Sequence, residues 1–165
     1  MQFAAAVEHY HEALRDDSSF ALAALRGAEA ANWDGRYGED TAFAAVALRQ
    51  AKLLPPVRAL VARGLYAYLT GGADTALVHL RRALEIDSSS APVWTMLGEV
   101  YQRMLPSVGA ADSLARGALE HARRLDREFA PALLLLEGTA LREGRVADAL
   151  QLRDELRAAG ADTTH

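Results

Sequence analysis

One feature of the sequence constrains the fold more than any other. A small residue within helix-forming segments recurs at a nearly constant spacing along the chain. An Ala-Leu pair begins at Ala13, recurs 34 residues later at Ala47 and recurs again after 36 residues at Ala83. The series continues at Ala122, 39 residues on, and at Leu156, after a further 34. Self-similarity with a period of about 34 residues is typical of a repeated helix–turn–helix unit. The chain is therefore expected to be a stack of helix hairpins.

Composition supports an all-α fold and excludes several functions. Ala and Leu together fill 60 of the 165 positions, whereas there is a single Ile and there are nine Val, so strand-forming residues are scarce. The net charge of −4 gives no basic field for nucleic acid, and the longest apolar run is too short for a membrane span. With no cysteine, neither disulfides nor thiol chemistry are expected. We predict no metal, no cofactor and no nucleic-acid partner.

Periodicity between breaker residues predicts about nine helices, with left-handed glycines at Gly35, Gly71 and Gly144 between paired helices. These helices form a half repeat over 1–17, repeats over about 18–54, 55–88, 89–127 and 128–160, and a flexible tail over 161–165. The whole is expected to be one domain over 1–160. The predicted helices run about Gln2–Arg15, Phe20–Asn32, Glu39–Leu53, Pro56–Thr70, Ala73–Ile86, Ala91–Met104, Ala111–Asp126, Ala130–Glu143 and Val146–Ala159.

The motif Trp94-x-x-Leu97-Gly98-x-x-Tyr101 resembles the signature of the first helix of a tetratricopeptide repeat (TPR). The second-helix signature, a small residue, a bulky residue and then Ala, is similar to three segments: Ala6…Tyr10…Ala13, Ala76…Leu80…Ala83 and Ala115…Leu119…Ala122. The last repeat departs from the pattern, with Leu133 where the signature has Trp and Glu137 where it has Gly. The resemblance implies a right-handed α-solenoid of about four and a half repeats.

A second resemblance is more specific. The segments Leu54–Leu60, Trp94–Glu99 and Phe129–Ala132 are similar to TPR arrays appended to bacterial signalling proteins, including serine/threonine kinases and transcriptional activators. This resemblance implies a bacterial protein, and we expect a cytoplasmic location while the lack of cysteine leaves a periplasmic one open.

In a right-handed stack of hairpins the first helices line a concave surface, where partners bind. Helical spacing places on that surface a mixture of aromatic, basic and amide side chains, which we predict to contact a protein or peptide partner: Trp33, Arg58, Tyr68, Glu99, Gln102, Arg103 and Arg142. The last first-type helix contributes Leu134, Gly138 and Leu141 to the same face. Because Glu29 and Glu99 also face inward, we do not expect a clamp for acidic chaperone tails. An apolar peptide, a partner helix or another part of the same polypeptide fits this face better.

Two alternatives stay open beside this non-catalytic scaffold. A small-molecule sensory domain of a larger bacterial signalling protein predicts an enclosed pocket near Trp33, Tyr68 and Leu65. A purely oligomerising module predicts partners at the chain ends. No catalytic constellation is evident. The cluster Arg123-Arg124-x-x-Arg127 is interleaved with acids, including Glu120 and Glu128, so a salt-bridged surface is expected there.

Irregular segments complete the expectations. Met104–Gly109 lengthens one repeat by five residues, as a tolerated insertion or a partner-binding loop. The chain opens on a second-type helix whose mate is missing, so its apolar stripe is expected to be exposed, and the final helix carries Leu152 and Leu156 without a polar covering helix. We therefore expect either a fragment of a longer array or a homo-oligomer formed through the end helices.

Overall fold

The computed structural model describes residues 2–105 and 109–160. In these residues the chain is all-α, and every predicted helix is present, most of them within two residues of the expected bounds. The helices are α1 (Gln2–Asp16), α2 (Ala21–Trp33), α3 (Glu39–Arg49), α4 (Pro56–Leu69), α5 (Ala73–Ile86), α6 (Ala91–Met104), α7 (Gly109–Leu125), α8 (Ala130–Arg142) and α9 (Val146–Ala158). The predicted tail 161–165 and the centre of the Met104–Gly109 insertion lie outside the described residues.

Helix α3 is shorter than predicted, because the chain changes to a 3₁₀ turn over Ala51–Leu53 before Pro55 and Pro56. A residue before proline is pushed out of the α region, so Leu54 is extended, with φ −91° and ψ 148°. Between the paired helices, Gly35, Gly71 and Gly144 have φ of 72°, 88° and 72°, as the sequence predicts.

The chain divides into two compact units, each of which is described separately. The N-terminal unit, Met1–Ile86, holds α1 to α5, and the C-terminal unit, Asp87–His165, holds α6 to α9. The division falls between α5 and α6. The prediction of one domain over 1–160 stays a prediction.

Within each unit successive helices pack on one another, and the first helices of neighbouring hairpins also touch. In the N-terminal unit α2 packs on α1 and α3, α4 packs on α5, and α2 contacts α4. In the C-terminal unit the hairpins α6/α7 and α8/α9 are joined by contacts of α7 and α6 with α8. This pattern is that of stacked helix hairpins.

Close approach of paired helices depends on glycine in three hairpins. A Cβ added at Gly27 would lie 2.7 Å from the ring of Phe43, one at Gly64 would lie 2.8 Å from Leu80 Cγ, and one at Gly98 would lie 2.7 Å from Leu119 Cγ. The small and bulky positions of the repeat are therefore in direct contact. In each of these hairpins a large side chain of one helix is buried against a glycine of the other. This requirement explains why both the glycine and the large residue recur at regular positions.

In the two end helices, α1 and α9, the burial of apolar side chains differs from the expectation. In α1, Val7 is fully buried, whereas Phe3, Tyr10 and Leu14 are only half-buried. In α9, the two leucines at 152 and 156 are buried in a cluster with residues of α7 and α8 such as Leu119, Leu133 and Leu136, so the expectation that they would be uncovered is wrong. They are the residues by which α9 packs on α8. The apolar side chains that α9 exposes are instead those at 146 and 150.

Candidate functional site

The seven predicted contact residues fall in both units. Trp33, Arg58 and Tyr68 belong to the N-terminal unit, and the remaining four, at 99, 102, 103 and 142, belong to the C-terminal unit. Each group is therefore considered within its own unit.

A groove in the C-terminal unit brings three of the predicted residues together. Its volume is about 520 Å³, and its walls come from α6, from the first turn of α7 and from α8 with the residue that follows it. The lining residues are Gln102, Arg103, Asp112, Leu134, Leu135, Gly138, Thr139, Arg142 and Glu143. We call this cavity the α6–α8 groove. Its volume lies within the range of small-molecule pockets.

Thr139 holds the polar wall of the groove in place. Its buried hydroxyl donates to the backbone carbonyl of Leu135 at 2.7 Å and accepts from Gln102 Nε2 at 2.8 Å. The same oxygen also accepts from Arg142 Nη2 at 3.3 Å. One side chain of α8 thereby fixes an amide from α6 and a guanidinium from its own helix. Residues fixed in this way lose little conformational entropy when a partner binds.

The charged groups of the groove differ in how far they are already neutralised. Arg103 lies 3.6 Å from Glu99, one helical turn away. Glu143 contacts Arg145 at 2.7 Å and Arg116 at 2.9 Å. Hydrogen bonds from these two guanidinium groups, that of Arg145 first, hold the pKa of Glu143 below its ordinary value. The charge of Glu143 is thus already matched.

The groove also has an apolar side formed by α8. Leu134 lines it and is 49% exposed, and Leu141, two turns further along the helix, is 48% exposed. Gly138 lies between them, where a Cβ would meet only Arg142 Nη1, at 3.6 Å. The exposed part of Leu134 is thus an apolar surface within the groove on which an apolar side chain of a partner can pack.

Glu99 does not line the groove. Its carboxylate is 3% exposed and lies behind Arg103, because α6 is packed between α7 and α8. The predicted contact of Glu99 with a partner stays a prediction, and in the structure its carboxylate lies 3.6 Å from Arg103. Two lining residues, Asp112 and Thr139, were absent from the predicted set. The sequence signal for Thr139 is its position in an apolar helix, three residues before Arg142, but nothing in the sequence pairs it with Gln102.

In the N-terminal unit two of the predicted residues, Trp33 and Tyr68, contribute to the packing of the helices. The ring of Trp33 lies 5.6 Å from that of Phe3, at the contact of α2 with α1. Tyr68 is 8% exposed and Leu65 is fully buried, so neither offers the surface that the predicted contact or small-molecule pocket near them requires. The small residues of α2 at 24, 27, 28 and 31 are buried in the same unit.

Arg58 is half-buried on α4, where its charge acts on the buried Glu29. Burial raises the pKa of Glu29, while the guanidinium of Arg26, which donates to Glu29 Oε2 at 2.6 Å, acts in the opposite direction. Among the described residues, Glu29 Oε1 has no hydrogen-bond partner. Arg58 thus provides a charge close to a buried acid.

A second groove of the C-terminal unit, about 460 Å³ between α7 and α9, contains the predicted basic cluster. Arg123 donates to both oxygens of Glu155, at 2.6 and 2.9 Å, and to Glu120 at 3.4 Å. Arg124 lies 3.3 Å from His121 Nδ1. The expected salt-bridged surface is confirmed for Arg123, although its main partner, Glu155, is an acid that the sequence pattern did not indicate.

Two features are absent from residues 2–105 and 109–160. No helix in these ranges has both the length and the hydrophobicity needed to cross a bilayer. No group of three or more histidine, aspartate or glutamate side chains in them is placed to hold a metal ion.

Comparison with known proteins identifies similar folds and no close relative. No protein-family model matches the sequence. No curated protein is significantly similar to it. The structure of MamA is similar, with a TM-score of 0.58 and 16% sequence identity over 96% of this chain and 88% of that one. A second MamA structure gives a TM-score of 0.55, at 16% identity over 96% of this chain and 82% of that one.

YrrB, described as a TPR protein with an unusual peptide-binding site, gives a TM-score of 0.54 at 19% identity. The similarity covers 96% of this chain and 78% of that one. The resemblance to arrays of bacterial signalling proteins has no counterpart among these structures and stays a prediction. With its all-α hairpins and these structural neighbours, the chain has the helical-repeat solenoid fold of TPR proteins.

Proposed function

We propose that this protein is a non-catalytic scaffold that binds a peptide segment of a protein partner in the α6–α8 groove. The observation that carries the proposal is the combination of a fixed polar wall, built on Thr139, with the exposed leucines of α8. Hydrogen-bonding groups beside apolar surface are what a peptide backbone and its side chains require.

Two considerations favour a peptide over a substrate. The lining side chains are amide, guanidinium, carboxylate, hydroxyl and leucine groups, and the one hydroxyl already donates to the carbonyl of Leu135. A nucleophile paired with a base is thus missing from the lining of this groove. The neighbour YrrB has a described peptide-binding site, and the same fold here offers a groove of peptide dimensions.

A peptide array tests the proposal. Randomised nonapeptides, acetylated and amidated at their ends, are probed with the full chain, with Leu134→Ser and with the matched control Leu150→Ser. Both leucines are about half exposed, but only Leu134 lines the groove. We expect Leu134→Ser to remove most of the binding and Leu150→Ser to preserve it. Equal binding by both variants, or no bound peptides at all, would contradict the proposed site.

A further inference from the structure

We infer that the segment bound in the α6–α8 groove carries a single acidic side chain next to an apolar one, and that Arg142 binds its carboxylate. This inference rests on the proposed function, since it names the chemistry of the peptide that the groove accepts.

Charge distribution is the first argument. Among the described residues, Arg142 has no carboxylate within ion-pair distance, and its one hydrogen bond, from Nη2 to Thr139 Oγ1, uses a single N–H. The other guanidinium of the groove, Arg103, already faces Glu99, and the lining acid Glu143 is matched by Arg116 and Arg145. Arg142 is thus the positive charge that the groove presents to a ligand. A guanidinium binds a carboxylate with two parallel hydrogen bonds, and Arg142 retains enough donors for both.

Helix geometry is the second argument, because it places the charge beside the apolar surface. Leu134, Gly138 and Arg142 are spaced four residues apart and so follow one face of α8. The Arg142 Nη1 atom lies 3.6 Å from the Cβ position of Gly138, so the guanidinium extends over the glycine towards the groove. An apolar side chain on Leu134 and a carboxylate at Arg142 would therefore belong to neighbouring residues of one peptide.

Asp112 limits the number of acids to one. It lines the same groove from the first turn of α7, and the structure gives it no ion pair among the described residues. The positive end of the α7 dipole offsets part of its charge, but a second carboxylate of the ligand would still meet like charge there. A run of acidic residues is therefore disfavoured, whereas one acid at Arg142 is accepted.

The experiment extends the capped nonapeptide array by scoring the frequency of Asp and Glu in the bound peptides. The probes are the full chain, Arg142→Gln and the control Arg157→Gln, which removes an exposed charge from α9 outside the groove. For the full chain and the control we expect enrichment of peptides with one acid adjacent to Leu, Ile or Phe. Arg142→Gln should abolish the acid enrichment, retain the apolar preference and weaken a selected peptide about tenfold.

A second arm of the experiment distinguishes the carboxylate of an acidic side chain from the carboxylate of a peptide C-terminus. For a selected peptide, the acid is replaced by its amide, and the same amide peptide is also made with a free C-terminus. If the free C-terminus restores binding fully, the groove reads a chain end and the inference is wrong. The inference is also wrong if bound peptides show no acid enrichment, or if Arg142→Gln leaves that enrichment intact. In those cases a dependence on Leu134 still supports the proposed function, whereas loss of that dependence removes both.

Discussion

The two hairpins of the C-terminal unit hold their helices together by opposite means at equivalent positions. In α6/α7 the contact is apolar, because Gly98 lets the α7 side chain Leu119 reach the α6 backbone. In α8/α9 the same two positions are Glu137 and Arg153, and Glu137 Oε1 accepts from Arg153 Nε at 2.8 Å. Arg153 Nη2 approaches the same oxygen at 2.6 Å. An ion pair thus replaces the glycine–leucine contact.

Sequence spacing establishes the equivalence. Gly27 and Phe43 are 16 residues apart, as are Gly64 and Leu80, and so are Glu137 and Arg153. The spacing from Gly98 to Leu119 is 21, which is five residues longer because this repeat contains the Met104–Gly109 insertion. An apolar contact of this kind depends little on salt or pH, whereas an ion pair depends on both. The Glu137–Arg153 contact in the last hairpin should therefore weaken at high salt or extreme pH, under conditions that leave the Gly98–Leu119 contact unchanged.

The largest expected difference concerns the side chain contributed by the second helix. Leu119 is fully buried, so Leu119→Ala should lower the free energy of unfolding by about 2–5 kcal/mol through lost burial and a residual cavity. Arg153 is 40% exposed, so Arg153→Ala should cost only about 1 kcal/mol. Urea denaturation of the full chain followed by circular dichroism measures both. Equal losses would show that the ion pair stabilises its hairpin as strongly as the apolar contact does.

A smaller effect is expected from closing the gap that glycine leaves. Gly98→Ala places a Cβ 2.7 Å from Leu119 and 3.4 Å from the carbonyl oxygen of Ala115, and should destabilise by about 1–3 kcal/mol through overpacking. The matched control is Gly117→Ala in α7, where nothing lies within 4 Å of the added Cβ. That variant should stabilise by about 0.5–1 kcal/mol, because alanine is the better helix former. A Gly98→Ala protein as stable as the control would contradict the close approach.

The ion pair itself can be measured with a double-mutant cycle. Glu137→Ala, Arg153→Ala and the double variant should give a coupling free energy of about 0.5–1 kcal/mol, reduced in 1 M NaCl. Arg157 and Asp154, a more exposed pair 3.3 Å apart on α9, provide the comparison and should give a coupling of about 0.3 kcal/mol. If the coupling free energy between Glu137 and Arg153 does not change with salt, packing of the two long side chains, and not their charge, joins the helices.

Much of this comparison is visible in the sequence. Helix bounds depend on local residues, such as the glycines at 35, 71 and 144, so they were predicted closely. The repeat pattern also places Leu119 and Leu80 in the inter-helix position, and it marks Glu137 as a departure from glycine. The sequence does not identify the partner of Glu137. Arg153 is one of several arginines on a polar helix, and only the contacts of the other hairpins show that residues 16 apart face each other.

The candidate site was predictable only in part. Gln102, Arg103 and Arg142 were placed on one face by helical spacing, and the structure brings them to one groove. Spacing identifies the face of a helix but not how closely the next helix approaches it, which is why Tyr68 and Glu99 are buried against expectation. The bond from Gln102 to Thr139 joins residues 37 apart in sequence, so only tertiary packing establishes it.

The smallest expected effect is a pH dependence of the contact between α7 and α9, which links the two hairpins. The hydrogen bonds from Arg123 on α7, first among the causes, lower the pKa of Glu155 on α9 below its ordinary value of 4.5. A lowered pKa means that the folded protein favours the carboxylate. Its contribution is therefore present above about pH 4.5 and is lost as the pH falls through the lower value that the folded protein gives it.

Glu155→Gln should accordingly lower the free energy of unfolding by about 0.5–1 kcal/mol at pH 7. That deficit should shrink as the pH is lowered below about 4.5, because the wild-type pair is then lost as well. Leu119→Ala serves as the control in the same urea series. Its loss of unfolding free energy should be the same at pH 7 and at pH 3, since no ionisable group is removed. A Glu155→Gln deficit that persists unchanged at pH 3 would mean that the Arg123–Glu155 contact acts by packing rather than by charge.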